Sequence, residues 1–405
     1  MKPILRAERM KPVHSDIRGP LFVEAMKRQK QGIDVLKLNT GNPATFGFGL
    51  PDSIKNALME HMQDGVGYCD FKGMPQARQA ICDYETSKGI KGITPDDVFI
   101  GNGVSEVVSF ALTPLLNDGD EVLVPSPSYS LWGNSVYLED GKPVFYTCDE
   151  QANWYPDIQD IRSKITDKTK AIVIINPNNP TGVLYPKELL LEIIQIARES
   201  GLLIFADEIY DRLVMDGKQH ISLASLTEDV PVITLNGLSK SHCLCGYRCG
   251  WMVISGPREL TEDYRQGIIQ LTSLRLCANT MAQIVIPAAL DDMETPASMV
   301  RPGGRIYEQR EATVRELEKI DGLSFVKNDA AFYVFPKLDV KKFNITNDKQ
   351  FAHDLLDATN ILLVPGSGFD WKDPDHFRIV MLPQADILSD AIRRMGTFLD
   401  GYKQK

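Results

Sequence analysis

The sequence predicts an α/β protein in which a large domain carries a mostly parallel sheet with helices on both faces, and a smaller domain is α+β. Short apolar runs alternate with helix-like stretches up to about residue 286, the order expected for a parallel sheet. Two of these runs, 171–175 (AIVII) and 202–206 (LLIFA), are apolar throughout, as in strands buried on both faces. After residue 286, helix-like stretches and short apolar runs follow one another in the manner of a smaller α+β unit.

The predicted elements can be placed in chain order. The candidate strands lie at 35–39, 98–100, 121–124, 144–147, 171–175, 202–206, 232–235 and 252–254. The clearest helix-like stretches between them lie at 104–116, 187–200 and 258–271. A segment rich in Gly and Pro, 295–305 (TPASMVRPGGR), indicates a joint between elements.

Composition and charge limit the possible partners. The 405 residues carry 44 Lys and Arg against 54 Asp and Glu, a net charge of −10, so no broad basic surface is expected for nucleic acid or an anionic membrane. No apolar run approaches the roughly 18 residues that span a bilayer, and the first residues lack the apolar core of a signal peptide. The seven cysteines are an odd number, which favours reduced thiols and a cytoplasmic location. An anionic ligand would therefore need a few local Arg or Lys residues.

Polar residues follow four of the apolar runs, at the point where each predicted strand ends. The runs at 98–100, 171–175, 202–206 and 232–235 are followed by GNGVSE (101–106), NPNNPTG (176–182), DEIY (207–210) and NGLSK (236–240). Ligands of an open parallel sheet bind beyond the carboxyl ends of its strands. We therefore expect these four segments to meet at one edge of the sheet.

Asp207 and Lys240 are the two candidate catalytic residues at this edge. Asp207 follows five apolar residues, so its carboxylate is expected to be buried and to need a cationic or hydrogen-bonding partner. Desolvation would lower the pKa of Lys240 toward about 7–8 and make it a nucleophile for carbonyl groups. The alternatives are a helix cap or structural ion pair for Asp207 and a solvated loop lysine for Lys240.

Three further features indicate that an anionic ligand binds here. GNGVSE (101–106) resembles a dinucleotide fingerprint without its last Gly, and it predicts a helix start whose free N–H groups face an anion. Arg248, eight residues after Lys240, is suited to a bidentate phosphate contact. Arg378 lies inside the apolar run 376–382 (HFRIVML), where a buried guanidinium needs either a partner carboxylate or the carboxylate of a ligand.

Together these features match pyridoxal-phosphate chemistry on amino acids. A lysine holds the aldehyde of the cofactor, and a buried carboxylate keeps its pyridine nitrogen protonated. A helix end binds the phosphate, and an arginine orients the amino acid.

Several motifs then resemble those of class I aminotransferases of the pyridoxal-phosphate fold type I. They are NNPTG (178–182), DEIYD (207–211), NGLSK (236–240) with the arginine of GYR eight residues later, and FRIV (377–380). Within that family, DIRGP, LNTGNPATFGF, GYCDFKG, GNGVSE, INPNNPTG and FADEIYD are similar to segments of alanine (glutamate–pyruvate) aminotransferases. The resemblance covers nearly the whole chain. It implies a cofactor-binding domain at 46–288, a small domain at 289–405, and an N-terminal segment, 1–45, that joins the small domain or acts as a lid.

The resemblance also implies roles for individual residues. Lys240 would bind the cofactor and move a proton to and from the substrate Cα, and Asp207 would pair with the pyridine nitrogen. Tyr210 and Asn179 would contact the phenolic oxygen of the cofactor. Its ring and phosphate would be held by Tyr129, Gly103, Val104, Ser105, Ser239, Arg248 and, from the neighbouring subunit, Tyr68. The substrate α-carboxylate would bind Gly41, Asn179 and Arg378, and the Asn179–Pro180 bond would be cis.

The implied activity is amino transfer between L-alanine/pyruvate and L-glutamate/2-oxoglutarate, by a ping-pong mechanism in a homodimer with shared active sites. Three alternatives use the same fold: an aminotransferase for aromatic, aspartate-type or methionine-type substrates, a carbon–sulfur lyase, and a ligand sensor without enzymatic activity. The sensor hypothesis lacks a DNA-binding extension or basic stripe to support it. The hypothesis of a nicotinamide-dependent dehydrogenase is supported by the glycine loop alone.

Two segments remain to be interpreted. The γ-carboxylate of glutamate needs a cation, and Arg18, in a segment that Gly19-Pro20 would turn over the site, is the candidate. Arg275 is its rival, and a solvated terminal charge is the alternative for Arg18.

The cysteines at 243, 245 and 249 match no common zinc spacing, so we expect no metal site but oxidation-sensitive thiols near the cofactor.

Overall fold

A central eight-stranded sheet organises the computed structural model, which describes residues 3–405. The strands in this part of the chain are β1 Leu36–Lys37, β2 Val98–Asn102, β3 Glu121–Ser126, β4 Lys142–Asp149, β5 Tyr155–Pro156, β6 Thr169–Ile175, β7 Leu203–Asp207, β8 Val232–Gly237, β9 Cys249–Ser255, β10 Leu323–Ser324, β11 Tyr333–Val334, β12 Lys337–Leu338, β13 Ile361–Leu362, β14 Val364–Pro365 and β15 Phe377–Val380.

Helices surround this sheet and continue through the last hundred residues. They are α1 Pro20–Lys30, α2 Asp52–His61, α3 Pro75–Ser87, α4 Val104–Leu112, α5 Leu131–Leu138, α6 Ile158–Lys164, α7 Lys187–Ser200, α8 Leu238–Ser241, α9 Arg258–Arg275, α10 Thr280–Ile284, α11 Ile286–Asp291, α12 Glu294–Val300, α13 Arg305–Leu317, α14 Val340–Phe343, α15 Asp348–Thr359 and α16 Ala385–Asp400.

The central sheet is mostly parallel, as predicted. Its strand order is β2-β9-β8-β7-β6-β3-β4-β5, and the pairs β8–β7, β7–β6, β6–β3 and β3–β4 are parallel. Strand β9 runs antiparallel to both of its neighbours, and β5 runs antiparallel to β4. The carboxyl ends of β6, β7 and β8 therefore lie side by side at one edge.

The all-apolar runs reflect the helices on both faces of the sheet. In β6, Ile172 and Ile174 pack in one cluster with residues of α7, whereas Val173 and Ile175 pack on the other face with residues of α4 and α5. Because both sets of side chains are buried, the strand cannot alternate between apolar and polar residues. Burial of each such side chain contributes about 1.5–3 kcal/mol, so this layer anchors the edge that carries the polar residues.

The predicted strand at 35–39 is corrected by the structure. It shortens to β1, which pairs in parallel with β13 and lies outside the central sheet. Val35 packs with Ala25 of α1 and Leu356 of α15, so its apolar character serves a contact between the two ends of the chain. A separate sheet, β11-β15-β14, carries Arg378. The domain boundaries at 46 and 289 remain predictions.

Two predicted helices differ in their ends. The stretch 104–116 forms α4 only as far as Leu112, because Pro114 lacks the N–H that would continue the helix. The stretch 258–271 continues as α9 to Arg275. Over residues 3–405, no single helix has the length and apolarity to span a bilayer. By length and composition alone, only a pair bent by 119°, Arg258–Arg275 with Thr280–Asp291, meets that criterion jointly.

Candidate active site

A cavity of about 880 Å³ opens at the edge where β6, β7 and β8 end. All four of the predicted strand-end segments contribute to its wall, so the expectation that they meet is confirmed. The sequence-predicted residues that line it are Arg18, Gly41, Val104, Ser105, Tyr129, Asn179, Asp207, Tyr210, Ser239, Lys240, Arg248 and Arg378. Four of these side chains are cationic and only Asp207 is acidic, although the whole chain has a net charge of −10.

Lys240 reaches this cavity from the short helix α8, directly after β8. Its Nζ donates a hydrogen bond to the Gly41 carbonyl oxygen at 2.9 Å and lies 3.9 Å from the Cys245 Sγ. Burial acts to lower the pKa of Lys240, but Tyr333, Cys245 and Tyr129 outweigh it and hold that pKa above its ordinary value. The expected lowering of the Lys240 pKa was therefore wrong for the chain without ligand, because desolvation is only one of the influences at this position.

Asp207, the last residue of β7, is buried beneath the cavity. Its Oδ2 accepts a hydrogen bond from Trp132 Nε1 at 3.1 Å, and the Ile209 backbone N–H approaches Oδ1 at 3.4 Å. Burial raises the pKa of Asp207 to about 6, and the Trp132 contact opposes that rise only in part. Among residues 3–405, Asp207 therefore has hydrogen-bond donors but no ion-pair partner to balance its charge.

Arg378 lies in β15, is buried and lines the cavity. Its Nη1 donates to Asn179 Oδ1 at 2.9 Å and its Nη2 donates to the Asn39 carbonyl oxygen. The guanidinium also lies 4.7 Å from the centre of the Tyr333 ring and 4.6 Å from that of Phe369. Within residues 3–405 it forms no ion pair, which leaves a ligand carboxylate as its natural partner.

Two tyrosines of the cavity wall, Tyr210 and Tyr333, contact each other. The hydroxyl oxygens of Tyr210 and Tyr333 lie 3.1 Å apart. Burial raises the pKa of Tyr210 well above its ordinary value, and Tyr333 adds to the effect, so Tyr210 keeps its proton at neutral pH. The Asn179–Pro180 bond in the facing loop is cis, as expected.

The anion-binding end of the cavity is built by the start of α4. Gly103 precedes this helix with φ +82°, and a Cβ there would come within 2.3 Å of Arg248 Nη2. The glycine thus permits the guanidinium to lie against the chain at the helix N-terminus. Val104, Ser105 and Arg248 line the cavity here, while Gly103 itself does not. Free N–H groups, a helix dipole and an arginine form a site suited to a phosphate.

Three more of the predicted residues have different locations. Tyr129 lines the cavity just before α5. Tyr68 lies outside it and is 84% exposed in the single chain. Arg18 lines the mouth, whereas its rival Arg275 is turned away and pairs with Glu106 at 2.6 Å. Arg275 therefore does not line this cavity within the single chain.

The comparison with known proteins decides the family. Residues 33–392 match the family described as aminotransferase class I and II. The chain belongs to this family. It is 50% identical over 404 residues to the glutamate–pyruvate aminotransferase AlaA of Haemophilus influenzae and 48% identical to that of Escherichia coli K12, with each chain covered completely. It is also 45% identical over 400 residues to the alanine aminotransferase of Mycobacterium tuberculosis H37Rv, covering 98% of this chain and 93% of the relative.

Solved aminotransferase structures agree in fold. An aminotransferase from Escherichia coli superimposes with a TM-score of 0.98 at 47% identity, covering all of both chains. Alanine aminotransferase from Pyrococcus furiosus gives 0.93 at 41% identity, covering 98% of this chain and all of that one. The resemblance seen in the sequence motifs, and the fold it implied, are confirmed.

Sequence reasoning missed two residues of this aminotransferase site. Trp132 holds the Asp207 carboxylate, and the Tyr333 hydroxyl contacts that of Tyr210. Of the thiols expected near the cofactor, Cys245 lies beside Lys240. Tyr333 sits in the apolar run AAFYVF (330–335), a pattern that predicts core packing and gives no signal for its hydroxyl. The position of Trp132, three residues after Tyr129 and near the start of a helix, was the one available indication that it faces the site.

The glycine of the NNPTG segment joins the two sides of the aminotransferase site. Gly182 has φ +69°, and a Cβ there would come within 2.6 Å of Asn328 Cβ and 2.8 Å of the Ala330 carbonyl oxygen. The backbone N–H groups of Asp329 and Ala330 donate to the Gly182 carbonyl at 3.0 and 2.9 Å. The chain that carries Tyr333 is thus fixed directly onto the loop that carries Asn179.

Two clusters near this site contain metal-ligating residue types, but their side chains are engaged elsewhere. Glu208, Asp211 and His220 are close enough together to surround an ion, but the Lys88 ammonium lies 2.7 Å from Glu208 and 3.2 Å from Asp211. The cysteines point apart: Cys243 contacts Met299, Cys245 lines the cavity, and Cys249 is buried in β9. Burial raises the pKa of Cys243 and of Cys249 to about 12, so neither is a ready thiolate.

Proposed function

We propose that this aminotransferase uses pyridoxal phosphate to exchange the amino group between L-alanine/pyruvate and L-glutamate/2-oxoglutarate. The observation that carries the proposal is a cavity that joins a lysine, a buried carboxylate and a buried arginine, the last two without an ion-pair partner in the part of the chain that the structure describes. Relatives at 45–50% identity are named as alanine or glutamate–pyruvate aminotransferases. That likeness supports the choice of substrates.

The unbalanced charges fit the cofactor. Asp207 is desolvated and its pKa is raised to about 6, so a pyridinium nitrogen would supply the cation that it lacks and keep it ionised. Trp132 already holds one oxygen of Asp207 in place. At the other end, Val104, Ser105, Ser239 and Arg248 would hold the phosphate, with Gly103 leaving room for the arginine. Tyr129 would lie against the ring.

The chain then supplies binding and proton transfer. When bound, the cofactor forms a covalent link to the amino group and withdraws electrons from the substrate Cα. Lys240 would take the proton from that Cα at its Nζ and return it later, and the Gly41 carbonyl at 2.9 Å fixes the direction of this amine. Tyr210 and Asn179 would hydrogen-bond the phenolic oxygen of the cofactor and orient it.

The α-carboxylate of the substrate would bind Arg378. This guanidinium is held by Asn179 and by the Asn39 carbonyl, and it lies between two aromatic rings, so its fork is oriented before the substrate arrives. Gly41 borders the same part of the cavity and would add a contact to the carboxylate. Arg248 and Lys240 serve the cofactor in this assignment, which leaves Arg18 at the mouth for the γ-carboxylate of glutamate.

A homodimer with shared sites is part of the proposal. Tyr68 follows a segment that Thr280 holds through a 2.6 Å hydrogen bond to the Gly65 carbonyl. Exposed apolar side chains lie near it in the chain and at the end of α9, where Arg275 donates to the Phe71 carbonyl at 3.2 Å. We call these side chains the Tyr68 patch: Met59, Met62, Val66, Leu274 and Leu276. Exposed apolar side chains of this kind are typical of protein interfaces. The patch supports an interface at which Tyr68 of the partner subunit reaches the phosphate.

The deciding experiment is a substrate screen with purified protein and added pyridoxal phosphate. We expect transfer between alanine and 2-oxoglutarate in both directions, slower transfer with aromatic, aspartate-type and methionine-type substrates, and none in Lys240→Ala. Borohydride reduction should fix the cofactor on Lys240. Release of pyruvate and ammonia from cysteine or cystathionine without an oxo-acid acceptor would instead identify a carbon–sulfur lyase. Transfer to other oxo acids as fast as to pyruvate and 2-oxoglutarate would contradict the proposed specificity.

A further inference from the structure

Two phenol hydroxyls meet in the wall of the cavity. The Tyr210 and Tyr333 oxygens are 3.1 Å apart, and both side chains are buried. Within residues 3–405, neither hydroxyl has a second hydrogen-bond partner. Tyr210 belongs to the loop after β7, and Tyr333 begins β11, so the contact joins the central sheet to the small sheet that carries Arg378.

The surroundings of Tyr333 are the more restricted of the two. Its hydroxyl lies so close to Gly41 that a Cβ at that glycine would come within 2.3 Å of it. Its ring lies beneath the Arg378 guanidinium, 4.7 Å from ring centre to the carbon of that group, and 4.8 Å from the ring of Phe332. Tyr333 also lines the cavity, and within residues 3–405 the hydrogen-bond partner of its hydroxyl is the Tyr210 oxygen, to which it can donate its proton.

We propose that Tyr333 is a positioning residue: it donates its hydroxyl proton to Tyr210 and thereby directs the Tyr210 proton to the phenolic oxygen of the cofactor. This inference rests on the proposed function, in which Tyr210 contacts that oxygen. Two hydroxyls in series polarise each other, so Tyr210 becomes a stronger donor than it would be alone. A stronger donor stabilises the ionised phenolic oxygen and lowers the pH at which the bound cofactor loses its proton.

The test is a pH titration of the visible absorbance of the holoenzyme, which does not depend on turnover. In Tyr333→Phe the midpoint should rise by up to about half a pH unit, because Tyr333 contributes only the polarisation of the Tyr210 hydrogen bond, about 10–30% of its strength. Tyr210→Phe should raise the midpoint further. In Tyr210→Phe/Tyr333→Phe the midpoint should equal that of Tyr210→Phe, because Tyr333 acts only through Tyr210.

Tyr146→Phe is the matched control. Its hydroxyl is buried and donates to the Val173 carbonyl at 2.7 Å, but Tyr146 does not line the cavity, so its loss should leave the midpoint unchanged. The inference is overturned if Tyr333→Phe titrates like the wild type, if it shifts the midpoint equally with and without Tyr210, or if Tyr146→Phe gives the same shift. If the wild type develops no visible absorbance with pyridoxal phosphate, the proposed function fails instead.

Discussion

At the scale of single residues, Asp207 lowers the stability of the cofactor-free chain but is needed for the proposed catalysis. The carboxylate is buried with hydrogen-bond donors but no cation, and burial raises its pKa to about 6. In the chain without cofactor, the ionised form therefore costs stability. Below the ordinary pKa of an aspartate the group is neutral in both the folded and unfolded states, and the cost vanishes. Between that value and about 6 the cost grows, and above 6 it is fully present.

Asp207→Asn is expected to stabilise the cofactor-free protein at neutral pH while it abolishes catalysis. A pKa raised by about two units corresponds to roughly 3 kcal/mol, which is the upper limit of the gain at pH 8. At pH 4 the difference should fall to about 0.5 kcal/mol, because only part of the unfolded chain's Asp207 is ionised there. Urea unfolding of cofactor-free wild type and variant at both pH values checks this, and turnover of the loaded enzymes should differ by several orders of magnitude. An equal difference in stability at both pH values would contradict the argument.

Arg18 is tested by the difference between two pairs of substrates. Arg18→Ala should raise KM for glutamate and 2-oxoglutarate about tenfold or more, because a charge-assisted hydrogen bond contributes about 1.5–3 kcal/mol. Alanine and pyruvate have no distal carboxylate, so their KM values should hardly change. Arg9→Ala is the control, since Arg9 lies in the same segment but pairs with Asp140 away from the cavity. A uniform effect on all four ligands would remove Arg18 from the site.

At the scale of elements, the site depends on how loops are fixed to each other. Gly182 combines a left-handed φ with close contacts to the chain at 328–330, and that chain positions Tyr333. A second anchor lies beneath the DEIYD segment, where Lys88, at the end of α3, contacts three buried carboxylates: Glu85, Glu208 and Asp211. Neither Gly182 nor Lys88 lines the cavity, so each is expected to affect function by holding the residues that do in position.

Gly182→Ala should lower both stability and cofactor affinity. A left-handed conformation costs a non-glycine residue roughly 1–2 kcal/mol, and the new Cβ would in addition collide with Asn328 and Ala330. Gly201→Ala separates the two effects, because Gly201 has φ +65° but no atom within 4 Å of its would-be Cβ. We expect Gly201→Ala to lose stability only, with unchanged cofactor binding by absorbance titration. Equal losses in the two variants would indicate that the contacts of Gly182 are unimportant.

Lys88→Met should destabilise the fold strongly. Loss of the ammonium leaves Glu85, Glu208 and Asp211 buried without their shared cation, and breaking a buried ion pair costs about 3–5 kcal/mol. The comparison is Lys91→Met, three residues later, where an exposed lysine pairs with Glu228 and little change is expected. The change in stability is measured from the urea midpoints, provided that the m-values are unchanged. A loss for Lys88→Met no larger than for Lys91→Met would show that the carboxylates take up protons at no great cost.

At the scale of the whole molecule, the cavity is positively charged although the chain as a whole is negatively charged. The net charge is −10, yet four of the five charged side chains that line the cavity are cationic. Their contributions come from the N-terminal segment, α8, the residue before β9 and the small sheet, so the positive site exists only once the chain ends have come together. The proposed dimer would complete it with Tyr68 of the partner subunit.

Shared sites predict complementation between two inactive subunits. Lys240→Ala lacks its own lysine, and Tyr68→Ala should bind cofactor poorly in the partner's site. If both are co-expressed, the mixed dimer contains one site with both native residues. About a quarter of all sites should then be intact for random pairing, and activity should exceed that of either variant. Activity no greater than the separate sum, with mixed dimers verified by mass spectrometry, would contradict site sharing.

The sequence was informative where local pattern determines structure. Apolar runs predicted the buried strands, and the residues that follow them, such as Asp207 and Lys240, do line one cavity. It was uninformative where function depends on distant pairs. Strand β1 finds its partner more than 300 residues later, and the hydroxyls of Tyr210 and Tyr333 are 123 residues apart in the chain. The direction of the Lys240 pKa was missed for the same reason, since two phenols from distant segments oppose desolvation.

The position of Cys245 has a practical consequence for anyone who attaches a probe to this protein. Its thiol lies at the cavity wall, 3.9 Å from the Lys240 amine, and is accessible in part. A maleimide dye added to the cofactor-free protein would thus lodge beside the lysine and obstruct the cavity. Labelling is better directed to a cysteine introduced far from this edge in a Cys245→Ser background. Loading the protein with pyridoxal phosphate before alkylation would give further protection.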